Sequence, residues 1–188
     1  MSAGATVLGG PPAVGGTLLD GTSQMQERIG LIRLAALPAR DLRHACTFTE
    51  FVGGPRFSVT VRLATDGLEP GDVAGLALSN TRDAWVAVER GRNGFTLTQG
   101  DEETGASSRV PLSTPDVWLR VECDFAGHHA RFSHSADGRR YTGIGEACVL
   151  GANRAGFPSV GCVLFSYTTH PGARGGHADF DSFLVTWP

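Results

Sequence analysis

The chain has 188 residues, a formal net charge of −3 and only 8% aromatic residues, a length that suits one domain with a core large enough to fold without staples. The negative balance excludes a simple basic nucleic-acid binder, which needs a positive excess to release counterions from phosphates. No apolar run approaches the ~20 residues that span a bilayer, and no membrane partner is expected.

The first ~25 residues are rich in Gly, Ala, Pro, Ser and Thr with little periodicity, and read as a leader or loosely attached arm over residues 1–28. The opening MSAGATVLGGPPAVGG has neither the cationic nor the apolar region of a secretory signal, so a cytoplasmic location is expected. From residue 29 to residue 188 short apolar stretches alternate with turn chemistry, the pattern of a single all-β sandwich.

Leu31–Leu37 reads as a first strand closed by Pro38, Ala39–His44 has room for one helical turn, and Cys46–Phe51 leads into a Gly53-Gly54-Pro55 turn. Phe57, Val59, Val61 and Leu63 alternate with Ser58, Thr60 and Arg62, the period of a strand with one buried face. After an Asp-Gly and Pro-Gly loop at Thr65–Asp72, Val73–Ser79 is apolar on both parities and predicts a central, doubly covered strand. Asp83–Glu89 places Asp83, Trp85, Ala87 and Glu89 on one side, and Gly91–Gly94 turns it into Phe95–Gln99 as a hairpin. Gly100–Ser108 reads as a surface loop.

Val117, Leu119, Val121, Cys123 and Phe125 alternate with Trp118, Arg120, Glu122 and Asp124, the strongest strand signal in the chain. His128–His134 returns beside it, Ser135–Gly138 turns the chain, and Tyr141–Ile144, Val160–Tyr167 and Ala178–Trp187 complete the set. The four cysteines (Cys46, Cys123, Cys148, Cys162) form no C-x-x-C pair and read as reduced, structural thiols.

Two blocks carry a resemblance: Gly156-Phe157-Pro158-Ser159-Val160-Gly161-Cys162-Val163-Leu164-Phe165-Ser166-Tyr167, and Gly175-Gly176-His177-Ala178-Asp179-Phe180-Asp181-Ser182-Phe183. With Gly71–Leu76, Val117–Val121 and Phe132–Gly138 they resemble the C-terminal β-sandwich of glycoside hydrolase family 43 β-xylosidases, from roughly Ile29 to Trp187. The resemblance implies an antiparallel two-sheet jelly roll of the concanavalin A-like type, shared by lectins and glucanases. In that family the domain follows a catalytic β-propeller. No propeller segment is present in these residues, so its catalytic carboxylates have no counterparts here and xylosidase activity is not carried over.

Few residues point to chemistry. Glycosidases set two carboxyls across a cleft, whereas Glu122 and Asp124 lie side by side on one strand face, where a solvated ladder with Arg120 and a neighbouring strand's arginine is the plainer role. Asp179 and Asp181 also share a face and could help bind a structural calcium, which wants six to eight oxygens; hydrogen bonding to an arginine or the backbone is the alternative, and no other cofactor is expected. Trp85 and Trp118, at non-core parity, are expected with Arg62, Arg120 and Arg131 on one polar sheet face, a candidate groove for sugar rings and hydroxyls; cover by a loop is the competing reading. Tyr167, His170, Arg174 and His177 form a second, loop-borne candidate set around Pro171–Gly176.

The expected function is a stand-alone carbohydrate-binding or accessory sandwich that takes a carbohydrate or small-molecule ligand, acting alone or docking onto a partner enzyme. The alternative is a recruited sandwich enzyme (cyclase, isomerase or hydrolase) acting on a small metabolite or glycan in a bacterial biosynthetic pathway. A third reading buries the tryptophans in a subunit contact. No catalytic pair, triad or metal cluster is identifiable, and the oligomeric state is open.

Overall fold

The computed structural model describes residues 5–8, 26–29, 31–80, 82–102, 105–150, 159–172 and 175–188. Most of the expected arm and the Gly156-Phe157-Pro158 part of the resemblance lie outside them.

The described residues form two sheets. The eight-stranded sheet runs β1 (Ala5–Leu8), β3 (Leu31–Ala35), β15 (His177–Thr186), β6 (Arg56–Ala64), β11 (Asp116–Asp124), β12 (His129–Ser135) and β13 (Thr142–Val149), with β2 (Gln26–Ile29) also on β15. The seven-stranded sheet runs β10 (Gly105–Leu112), β9 (Gly94–Asp101), β8 (Asp83–Gly91), β7 (Asp72–Ser79), β14 (Ser159–Thr168) and β4 (Leu37–Pro38), with β5 (Cys46–Gly53) also on β14. Neighbours pair antiparallel except the two-residue contact of β4 with β14. Crossovers such as β6–β15 and β7–β14 bring distant segments side by side, so the sandwich closes by long-range pairing.

Period-two alternation places the core. Val59, Val61, Leu63, Leu119, Val121, Phe132 and Phe180 from one sheet meet Leu76, Leu78, Val86, Val88, Leu97 and Leu164 from the other, all buried. Burying such side chains stabilises by about 1.5–3 kcal/mol each before entropy is charged. All four cysteines are free and buried. Burial pushes the Cys162 thiol up to about 12 and raises Cys123 as well, so both behave as small apolar side chains.

Several sequence expectations change. Leu31–Leu37 is two strands rather than one, β3 ending at Ala35 in one sheet and β4 at Leu37–Pro38 pairing in the other. Pieces of the expected arm, Ala5–Leu8 and Gln26–Ile29, pair with β3 and β15. Gly100–Ser108 is not all loop: β9 runs on to Asp101, and a further strand, β10, starts at Gly105 and pairs with it. That strand is an edge, with Pro111 and polar side chains, so it carries no apolar alternation. Finally β13 extends to Val149, five residues past the expected end at Ile144.

Val73–Ser79 is central as expected, between β8 and β14, and seven of the eight residues of β7 are buried. Its outer face is covered by a second apolar cluster, Val73, Ala77, Ala87, Val163 and Phe165, with Leu42, Ala45, Trp85 and Tyr167 packed against it. This small outer cluster creates the candidate site.

Candidate functional site

The register of the seven-stranded sheet sets the floor of a cleft. Phe165, Gly75, Ala87 and Thr98 lie in one row across β14, β7, β8 and β9; Val163, Ala77, Trp85 and Gly100 lie in the next; Tyr167, Val73, Glu89 and Thr96 lie on the other side. Gly75 and Ala87 in the first row and Ala77 and Gly100 in the second are small, with Phe165 at one end of the first row and Trp85 between the two small residues of the second, so the face is hollowed rather than flat. Gly75 is required there: a Cβ would come within 2.7 Å of Ala87 Cα and closer still to the Val86 carbonyl oxygen.

The second wall comes from Arg40–Arg43. Asp41 caps a single 3-10 turn, Leu42–His44, its carboxylate accepting from the Arg43 N–H at 3.0 Å. Leu42 turns inward onto the apolar floor while Arg43 reaches over to Glu102, with which it forms an ion pair, and to Asp83 at 3.6 Å. The Asp83 N–H donates to Glu102 at 3.1 Å, tying the end of β9 to the start of β8. The resulting cleft, about 470 Å³, is lined by Trp85, Tyr167, Phe165, Val73, Ala87 and Thr98 below, and by Arg40, Asp41, Arg43, Asp83, Glu89 and Glu102 at its sides. Its volume lies within the usual span of small-ligand sites.

Tyr167 and Phe165 stack with centroids 6.2 Å apart and planes 21° from parallel. Burial raises the Tyr167 hydroxyl above its ordinary value, and the neighbouring Glu89 and Asp41 charges push the same way. The phenol therefore stays protonated and is a hydrogen-bond donor at neutral pH. Trp85 is half-buried with its indole beside the small-residue floor.

The expected single polar face is divided between the two sheets. Trp85 is on the seven-stranded sheet, whereas Trp118, Arg62, Arg120 and Arg131 are on the eight-stranded one. Strand parity identifies a non-core position but does not say which sheet it faces out from. Trp118 lies under the turn after β12, its ring next to Gly138, where a Cβ would sit 2.8 Å from it. Arg62 joins Asp116 and Asp181, the latter at 2.8 Å. Arg120 lies over the Tyr141 ring, 3.6 Å from its centroid, and donates to Thr60 at 3.0 Å. Arg131 stands opposite Glu122 and 2.9 Å from His129. These arginines are largely committed to their own sheet face. Asp124 pairs with Arg56 at 3.0 Å, so one member of the expected Glu122/Asp124 ladder has its arginine.

The loop-borne set separates too. Tyr167 belongs to the cleft, while His170 packs on Gly71 and His177 on Gly67, both against the β6–β7 loop at the end of the sandwich. Arg174 lies outside the described residues. His177 stands 3.8 Å from Asp179. Asp179 itself is gripped at both oxygens by Arg33, at 2.6 Å each, which holds its carboxyl below the usual range. With Asp181 on Arg62, each carboxylate of the candidate calcium pair has an arginine partner. Among the described residues no group of three or more His, Cys, Asp or Glu is placed to hold a metal ion.

Sequence reasoning missed Leu42, Arg43, Glu102 and Phe165. A usable signal existed for Asp83 and Glu89, which share Trp85's parity on β8; nothing local shows that Arg40–Arg43 folds over that face.

Known proteins place this geometry in a family. Residues 19–186 match the model of the beta xylosidase C-terminal concanavalin A-like domain. Among solved structures, a family 43 glycoside hydrolase engineered to display both endo-xylanase and exo-arabinofuranosidase activity superposes with TM-score 0.72 at 25% identity, covering 83% of this chain and 34% of that one. A bifunctional GH43-CE protein of Bacteroides eggerthii gives 0.72 at 26%, covering 83% and 20%. A functionally unknown protein from Saccharomyces cerevisiae shares the fold, with TM-score 0.65 at 15% identity, covering 85% and 89%. The chain thus spans about a third of the first relative and a fifth of the second. No curated protein matches it. The two-sheet antiparallel jelly roll, its strand order and the matched span together make this chain a member of the beta xylosidase C-terminal concanavalin A-like domain family.

Proposed function

We propose that the domain is an accessory carbohydrate-binding module of a glycoside hydrolase, and that its ligand lies in the cleft on the outer face of the seven-stranded sheet. The observation that carries this reading is the pairing of Trp85 and Tyr167 with a floor of Gly75, Ala77, Ala87 and Gly100. Flat aromatic surface beside a hollow of small residues suits the apolar face of a sugar ring, while rim carboxylates and arginines suit its hydroxyls. The aromatic surface is partly wet and therefore has burial still to gain from a ligand.

Calorimetric titration with xylo- and arabino-oligosaccharides tests the reading. Wild-type protein binds, Trp85→Ala loses roughly 10- to 100-fold in affinity, the equivalent of about 1.4–2.8 kcal/mol, and Trp118→Ala binds as wild type does. Absence of binding at millimolar sugar, or loss through Trp118 instead, overturns it.

A further inference from the structure

The cleft carries an asymmetry of charge that its residue composition conceals. Four carboxylates (Asp41, Asp83, Glu89, Glu102) and two guanidiniums (Arg40, Arg43) line it, and Arg109 reaches Glu89 from β10 at 3.2 Å. Counted by formal charge these nearly cancel. They are not equally placed. The Asp83, Glu102 and Glu89 side chains are only 18%, 30% and 33% exposed, whereas their partners Arg43 and Arg109 are 63% and 61% exposed. These three carboxylates therefore stand within the walls, while their cations, like the fourth carboxylate Asp41 at 55%, stand in solvent, where water and salt screen them more strongly.

Distances along the strand put this field on the ligand. Asp83 lies two residues from Trp85 on the same face of β8, about 7 Å along the strand. Glu89 is two strands from Tyr167 in one row, about 10 Å across the sheet. Both separations are comparable with the screening length of about 8 Å at physiological salt. Tyr167 reports the same sign, since Glu89 and Asp41 both act to keep its hydroxyl protonated. His44, 2.7 Å from Asp41, and Arg40 are the other basic groups on that rim.

We propose that the cleft selects its glycan by charge, favouring a ligand with an amino group over a neutral one and a neutral one over a carboxylate. This inference rests on the carbohydrate-binding reading above and narrows it to exclude acidic sugars.

Three derivatives of one xylotriose give the test: its alditol (neutral), its aldonate (negative) and its 1-amino-alditol (positive), titrated into the protein at 50 mM salt. The expected order is amino, neutral, aldonate, with roughly tenfold between neighbours, contracting at 0.5 M salt. Asp83→Asn and Glu89→Gln, each read as the ratio of amino to aldonate affinity so that a general weakening cancels, reduce that ratio. Binding of the aldonate as tight as that of the alditol overturns the inference while leaving the carbohydrate-binding reading standing, as does an unchanged ratio in both variants. If none of the three binds, that reading has itself failed and the inference falls with it.

Discussion

Gly75→Ala is the sharpest test of how the cleft is made. The added methyl would meet Ala87 Cα at 2.7 Å, where ordinary contact begins near 3.4 Å, and the Val86 carbonyl oxygen is nearer still. Both obstacles are backbone atoms of β8, so no side-chain rotation relieves the overlap and β7 and β8 must part locally. Overpacking of this kind costs about 1–3 kcal/mol. In a domain of this size each kcal/mol lowers the melting temperature by roughly 2–4 °C. Gly161→Ala is the matched control on the next strand, because its Cβ would meet nothing closer than the Thr49 methyl at 3.4 Å; its stability should stay within about 0.5 kcal/mol of wild type. Chemical denaturation of both variants with unchanged m-value is the assay. A Gly75→Ala protein as stable as wild type, or a Gly161→Ala protein equally damaged, would refute the argument that close backbone approach carves the floor.

Further outcomes follow from the same geometry. Arg62→Met leaves Asp116 and Asp181 without their shared cation; because all three groups are about a third exposed, the loss in denaturant stability should be about 1 kcal/mol or less and should shrink in high salt. Asp137 is held down to about 2 by the N–H groups of Arg140 and Arg139 and the Ser135 hydroxyl, and the Asp179 carboxyl is lowered by the hydrogen bonds and charge of Arg33. Folded values below unfolded ones stabilise above roughly pH 4 and lose that contribution as pH falls through the folded values, so Asp137→Asn and Asp179→Asn should each flatten the acid limb of a stability–pH curve. In thiol labelling of the native protein at pH 8, Cys123 and Cys162 should react only at the rate of unfolding, since both are buried and their thiolates suppressed.

The fold was legible because most strands are half-buried, which forces period-two alternation, and β11 displays it over nine residues. Where a strand has no core face to advertise, the signal fails: β10 is an edge whose first residues, 105–108, read as loop and whose Val110 is exposed. Val73–Ser79 could be read as doubly covered, but not what covers its outer side, because the lid comes from Leu42 and Ala45, some thirty residues earlier. The tryptophans show the same limit. Parity removed both from the core correctly, yet whether β8 and β11 share a sheet is decided by long-range pairing, which local sequence does not encode. Joined on paper, Trp85 and Trp118 in fact face out from opposite sides of the sandwich.

That separation makes the three tryptophans a built-in reporter. The Trp187 indole N–H is fixed on the Gly53 carbonyl at 2.9 Å, Trp118 lies beneath its turn, and Trp85 lines the cleft. Indole N–H resonances followed by NMR during titration with a xylo-oligosaccharide should show the Trp85 signal shifting with saturation while the other two stay in place. Movement of the Trp118 signal with Trp85 unmoved would put the ligand on the eight-stranded sheet and contradict the account.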